Sequence, residues 1–132
     1  MLGALLSAVC LASAGQQIEL QVHSFTLRWN HSIEKIEWDE DYEVAGSWLL
    51  LTQARIRGDG AGMEPPPDAS FFNGVWHYRP ADPWRRELWL ARSPYVPDYE
   101  LCLDGRCLPL EHWLPRGDGP TRVWPCSSGI RQ

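Results

Sequence analysis

Residues 36–56 read IEWDEDYEVAGSWLLLTQARI, and this stretch decides the fold. Apolar and acidic residues alternate in its first half, and its second half is mostly apolar. Alternation with a period of two is typical of a half-buried strand, because successive side chains of a strand point to opposite faces. A three-residue loop at 45–47 then predicts a hairpin in which Val44 faces Trp48. This register pairs apolar residues at every inward position except that of Glu40.

The rest of the chain shows the same period. Further strands and hairpins are predicted within 18–22, 25–29, 71–76, 87–93, 99–110 and 121–124. Asn73-Gly74 and Asp104-Gly105 are strong signals for two-residue hairpin turns. The 11 Gly and 11 Pro argue against long helices, since helices exclude proline. The sequence predicts an all-β fold, an antiparallel sandwich or small barrel of about eight or nine hairpin-linked strands.

Composition narrows the function classes. A chain of 132 residues forms one domain. Its 12 basic and 17 acidic residues give a charge of −5, which argues against nucleic-acid binding. Because no nucleophile elbow, zinc-protease, phosphate-loop or dinucleotide motif is present, we predict no cofactor and no metal. The acidic residues between 34 and 43 are expected to form a solvated strand face, with a weak Ca²⁺ site at Asp39-x-Asp41 as the alternative.

Residues 1–14, MLGALLSAVCLASA, have the pattern of a cleavable signal peptide. The apolar run is shorter than the roughly 20 residues that span a bilayer, so no transmembrane segment is expected after cleavage. We expect cleavage after Ala14, a single domain over 15–126, a frayed tail over 127–132 and a periplasmic location. The absence of Lys and Arg before Arg28 disagrees with this pattern. The alternative is an N-terminal apolar strand of the domain.

Three cysteines would remain after cleavage. A two-residue turn at Asp104-Gly105 places Cys102 opposite Cys107, with Cα atoms about 4.5 Å apart. That separation suits a disulfide, whereas the spacing is poor for a zinc site. We therefore predict a Cys102–Cys107 disulfide and expect Cys126 to be free or intermolecular.

Glu40 is the residue that breaks the local pattern. Its carboxylate lies in the apolar phase of the strand, where it must be hydrogen-bonded, paired or protonated. The predicted register puts Thr52 opposite it. We predict a ligand-binding site formed by His31, Ser32, Glu34, Glu40, Thr52, Gly60 and Gly62. The two glycines belong to a Gly-rich loop that is either a turn or a backbone nest for a ligand. The structural alternative is a satisfied core network without a ligand.

Several spaced motifs together resemble a known family. They are His31-Ser32-Ile33-Glu34, Trp38, Glu40, Tyr42, Thr52, Gly60-Ala61-Gly62 and Asn73-Gly74-x-Trp76. Over about residues 20–125 the chain resembles domain-of-unknown-function family 1850. The resemblance implies a small exported bacterial protein of a kind often encoded beside TRAP-type transporters of the TAXI class, whose activity is not established.

The leading hypothesis is a non-enzymatic periplasmic accessory module. It would bind a small ligand, a TRAP-type transporter or the solute receptor of that transporter. One alternative is a small hydrolase that uses His31 with Glu40. The other is a structural envelope protein with no ligand.

Overall fold

The computed structural model describes residues 7–30, 36–57, 66–117 and 119–126. These residues form twelve strands and one short 3₁₀ helix, Leu110–His112. The strands are β1 (Val9–Ser13), β2 (Gln16–Leu20), β3 (Ser24–Asn30), β4 (Glu37–Ala45), β5 (Trp48–Arg57), β6 (Ser70–Phe72), β7 (Val75–Tyr78), β8 (Trp84–Arg85), β9 (Leu88–Leu90), β10 (Glu100–Leu103), β11 (Arg106–Pro109) and β12 (Thr121–Pro125). No helix among the described residues has the length and apolar character needed to cross a membrane.

The strands form two antiparallel sheets that pack as a sandwich. The small sheet has the order β2-β1-β12-β9. The large sheet has the order β11-β10-β3-β4-β5-β7-β6, and β8 also pairs with β5. The prediction of an all-β antiparallel fold is confirmed, and of its two architectures the sandwich is the one observed.

The core lies between the two sheets. Its buried side chains are Val9, Leu11, Leu90 and Val123 of the small sheet, Phe25, Leu27, Tyr42, Leu49, Leu51 and Leu101 of the large sheet, and Leu110 and Leu114 of the segment before β12. Burial of a Leu or Phe side chain contributes about 1.5–3 kcal/mol. This core therefore provides the main stabilising contribution to the fold.

The strand count exceeds the prediction. The described residues form twelve strands where about eight or nine were expected. β1 was expected only as the alternative to a signal peptide, and the two-residue β8 was not foreseen. The predicted hairpin turns are confirmed: Asn73 and Gly74 have φ of 53° and 73°, and Asp104 and Gly105 have φ of 51° and 80°. Positive φ at both central residues is what a type I′ turn requires.

The N-terminal segment forms the central strand β1, which lies between β2 and β12. Val9 is 1% exposed and Leu11 is 0% exposed. Ala14 and Gly15, with φ of 49° and 80°, make the turn that leads into β2. Cleavage after Ala14 stays a prediction. In the full chain the Ala14–Gly15 peptide bond lies in the turn of the β1–β2 hairpin, as expected for the alternative in which this segment is a strand of the domain.

Two disulfides are present. The predicted Cys102–Cys107 disulfide is confirmed, and the two residues face each other across β10 and β11. The prediction that Cys126 is free or intermolecular was wrong, because Cys126 is bonded to Cys10 with a Cα separation of 5.8 Å. The reason is that β1 runs antiparallel to β12, which brings Cys10 beside the end of that strand. The prediction considered only three cysteines, because it assigned Cys10 to a signal peptide that is removed.

The predicted register of the central hairpin was also wrong. The turn has two residues rather than three, since Ala45 pairs with Trp48 across Gly46 and Ser47. Gly46 has φ of 65°, a conformation that glycine adopts without strain. The register then shifts at a bulge between Asp41 and Tyr42. Leu49 and Leu51 precede the bulge in β5, and Ala54 and Ile56 follow it. Because the bulge shifts the alternation by one residue, all four side chains face the core.

Candidate functional site

Glu40 lies on the inner face of the large sheet, as the alternation predicts. Its neighbour on β3 is Leu27 and its neighbour on β5 is Ala54. Ala54 is paired in turn with Tyr78 on β7. Glu40 is thus opposite Ala54 and not opposite Thr52, because the bulge shifts the pairing.

The Glu40 carboxylate has one hydrogen-bond donor among the described residues. The hydroxyl of Tyr42, two residues along the same strand, donates to Glu40 Oε1 over 2.6 Å. Burial raises the pKa of Glu40, and the hydrogen bond from Tyr42 and the charge of Arg85 only partly offset this effect. Burial and the neighbouring carboxylate also raise the pKa of Tyr42, so its hydroxyl stays a donor. The partner of the Glu40 carboxylate is therefore the hydroxyl of Tyr42 and not Thr52, which the predicted register placed opposite it.

Aromatic side chains lie on the same sheet face as Glu40. Trp38 precedes Glu40 on the same face of β4 and stacks on Trp29, with ring centroids 5.8 Å apart. The ring of Trp29 also contacts the ring of Tyr99, with centroids 5.9 Å apart. Tyr78 follows Ala54 in the cross-strand row of Glu40. Burial raises the pKa of Tyr78 and of Tyr99, and the charge of Glu40 raises both further. Trp29, Trp38, Glu40, Tyr78 and Tyr99 are all half-buried, so this aromatic surface retains accessible area. We call these five residues the Glu40 aromatic surface.

Two indole N–H groups near this surface have no acceptor among the described residues. They belong to Trp38 and Trp76, and both nitrogen atoms are buried. The two side chains lie in one cross-strand row, on either side of Ile56. A buried donor without an acceptor costs about 1–3 kcal/mol. The two indoles therefore hold hydrogen-bonding capacity that the described part of the domain does not use.

The acidic face of β4 is an ion-pair ladder rather than a solvated surface. Asp39 is 2% exposed and accepts two hydrogen bonds from Arg28, at 2.9 and 3.2 Å. Arg55 donates to Asp41 at 2.8 Å and lies 3.7 Å from Asp39. Burial raises the pKa of Asp41, but the bonds from Arg55 and Thr26 bring it below its usual range. The two guanidinium groups occupy the space a cation would need, so the Ca²⁺ alternative does not fit.

Thr52 lies at a different place from Glu40. Its hydroxyl donates to the carbonyl oxygen of Asp41 at 3.3 Å, beside the bulge. It lines a cleft of about 440 Å³ together with Arg28, Arg55 and the Cys102–Cys107 disulfide. This cleft lies on the ladder face, opposite the Glu40 aromatic surface. The structure therefore separates the two described members of the predicted site.

A second buried ion pair has a structural role. The side chains of Arg92 and Asp98 are 1% and 2% exposed and form two hydrogen bonds of 3.0 and 2.9 Å. Arg92 also donates to the carbonyl oxygen of Leu114 and to the hydroxyl of Thr121. These bonds tie the loop after β9 to the segment around β12. With its donors used in this way, Arg92 is committed to the fold.

The other predicted site residues, His31, Ser32, Glu34, Gly60 and Gly62, lie outside the described residues. Sequence reasoning placed Tyr42 on the same strand face as Glu40 but missed its hydroxyl as the hydrogen-bond donor, and it missed Tyr78 and Tyr99 as neighbours. The donor role of Tyr42 could have been found, because residues two apart on a strand share a face. The other two come from β7 and from the residue before β10, and their approach depends on a strand order that no local pattern shows.

Comparison with known proteins identifies the family. Residues 25–110 match the domain of unknown function DUF1850. No curated protein and no solved structure matches the chain. The matched range covers more than half of the 132 residues and contains Glu40, Tyr42, Tyr78 and Tyr99. The resemblance seen in the spaced motifs is thereby confirmed, and this chain belongs to the DUF1850 family.

Proposed function

We propose that this chain is a non-catalytic binding module of a TRAP/TAXI-type transport system, exported to the periplasm, with a small-ligand site at Glu40. The observation that carries ligand binding is the environment of Glu40. Its half-buried carboxylate lies on a partly accessible aromatic surface with a single neutral donor, Tyr42, among the described residues.

The comparison with other carboxylates in the same fold supports a binding role. Asp39, Asp41 and Asp98 each form an ion pair with an arginine, as structural carboxylates usually do. For Glu40 the described residues supply no ion-pair partner, and burial raises its pKa, so its charge opposes folding. A side chain that costs stability and breaks the local pattern is typical of a functional site.

Export is supported by cysteine chemistry. Cys102 and Cys107 form a disulfide whether or not residues 1–14 are removed, and such bonds persist in oxidising compartments such as the bacterial periplasm. The Cys10–Cys126 disulfide supports the same compartment for a chain that keeps residues 1–14. The link to transport comes from the resemblance, since members of this family are often encoded beside TRAP-type transporters. The partner in this proposal is the transporter or its solute receptor.

The proposal is tested by uptake in the host. The chromosomal gene is replaced by the Glu40→Gln variant, and depletion of small molecules from the medium is followed by mass spectrometry. Glu43→Gln is the matched control, because Glu43 is exposed on the same strand. We expect a gene deletion and Glu40→Gln to slow the uptake of the same compound, and Glu43→Gln to leave it at the wild-type rate. Normal uptake in the Glu40→Gln strain would contradict the proposal.

A second readout separates binding from catalysis. The purified protein is incubated with the compound whose uptake is lost, and the mixture is analysed over several hours. A binding module leaves the compound intact. Conversion to a product by the wild type, abolished in Glu40→Gln, would instead support the hydrolase alternative.

A further inference from the structure

We infer that the ligand of the Glu40 site carries a positively charged organic ammonium group. This inference rests on the proposed function, because it concerns the same site and names the chemical class that the site would select.

The balance of charge at Glu40 favours a cationic ligand. Tyr42 supplies a hydrogen bond to one carboxylate oxygen of Glu40 but no positive charge. Arg85 acts on Glu40 through its charge, without a hydrogen bond to it among the described residues. Of the other charged side chains of β4, Glu37, Asp39 and Asp41 are paired with arginines on the opposite face, and Glu43 is exposed. A cationic ligand would therefore supply the counter-charge that the described residues do not give to Glu40.

The aromatic side chains of the Glu40 aromatic surface also favour a cationic ligand. The faces of Trp and Tyr rings attract cations that lie within about 6 Å of the ring centre. Trp38 lies two residues from Glu40 on the same face of β4, Trp29 stacks on Trp38, and Trp29 also contacts Tyr99. Tyr78 follows Ala54 in the cross-strand row of Glu40, and all four rings retain accessible area. An organic ammonium group has the two properties that this set selects, namely positive charge and methyl or methylene groups that pack on aromatic faces.

The test uses the full chain with both disulfides intact and tetramethylammonium as the probe. Binding is followed by the indole N–H resonance of Trp38, assigned with Trp38→Phe, at constant ionic strength kept with NaCl. Tert-butanol, a neutral molecule of similar shape, is the control probe. We expect a saturable shift with a millimolar Kd for tetramethylammonium and no saturable shift for tert-butanol.

Variants separate charge from aromatic packing. Glu40→Gln should weaken the binding of tetramethylammonium by about five-fold or more, while Glu43→Gln should leave it unchanged. Tyr78→Leu keeps the charge of Glu40 and should weaken binding about two- to five-fold. The dispersion of the backbone amide resonances verifies that each variant is folded.

The outcomes distinguish this inference from the proposed function. A non-saturable response, or equal responses in wild type and Glu40→Gln, would overturn the cation assignment. If uptake in the host is lost with Glu40→Gln while tetramethylammonium does not bind, the proposed function stands and the cation assignment falls. If tetramethylammonium binds through Glu40 while uptake is unaffected, the cation assignment stands and the transport role falls.

Discussion

The disulfide between Cys10 and Cys126 should be the larger contributor of the two disulfides to stability. The two residues are separated by 116 positions, whereas Cys102 and Cys107 are separated by 5. A cross-link restricts the unfolded chain more when it closes a longer loop. The chain-entropy relation gives about 5 kcal/mol for the long loop and about 2 kcal/mol for the short one. Replacing Cys10 and Cys126 by serine should therefore lower the free energy of unfolding more than twice as much as replacing Cys102 and Cys107.

The assay is equilibrium unfolding in urea, followed by tryptophan fluorescence without reductant, on the wild type and both double-serine variants. The short-loop variant is the matched control, because it loses the same atoms from the same fold. A long-loop variant within 1 kcal/mol of the wild type, or more stable than the control, would refute the reasoning. Tryptic peptides 1–28 and 123–131, found linked in the non-reduced protein, verify the pairing directly.

Four further results are expected. A chain that begins at residue 15 lacks β1 and its disulfide and should show no cooperative melting by circular dichroism; cooperative melting would show that the strand is dispensable. Glu40→Gln should equal or exceed the wild type in stability at pH 7. Because the pKa of Glu40 is raised in the folded state, the stability of the wild type should decline as pH rises from 4.5 through that folded pKa. The difference in stability between Glu40→Gln and the wild type should therefore vanish in urea melts at pH 4. Asp39→Asn leaves Arg28 without its main partner and should cost about 1–3 kcal/mol in the same melts. Gly105→Ala, at φ of 80°, should cost about 1–2 kcal/mol, and an unchanged urea midpoint would contradict the turn geometry.

The fold was predictable from the sequence because strand periodicity and turn chemistry are local. The Asn73-Gly74 and Asp104-Gly105 turns and the Cys102–Cys107 pairing were all read correctly. The inward position of Glu40 was also predictable, since alternation holds on its side of the bulge. The residue opposite Glu40, Ala54, was not predictable, because the turn length and the bulge beside Asp41 depend on how Leu49 and Leu51 pack in the core.

The ion-pair ladder could not be predicted for a different reason. Arg28, Asp39 and Arg55 come together because β3, β4 and β5 pair side by side in one register. In that register Arg28, Asp39 and Arg55 form one cross-strand row in which positive and negative side chains alternate. The sequence shows the acidic residues of β4 but not which strands flank them, so Asp39 was expected in solvent and is instead 2% exposed. For the same reason, β1 was indistinguishable from a leader until its place between β2 and β12 was known.

The central claim is that Glu40 forms the centre of a ligand site, and equilibrium dialysis tests it most directly. Wild-type protein, Glu40→Gln and Glu43→Gln are dialysed against the small-molecule pool of the host's growth medium, and retained compounds are quantified by mass spectrometry. The account predicts at least one compound, with an ammonium group, that is retained by the wild type and by Glu43→Gln but not by Glu40→Gln. Retention of the same compounds at the same levels by all three proteins would contradict it.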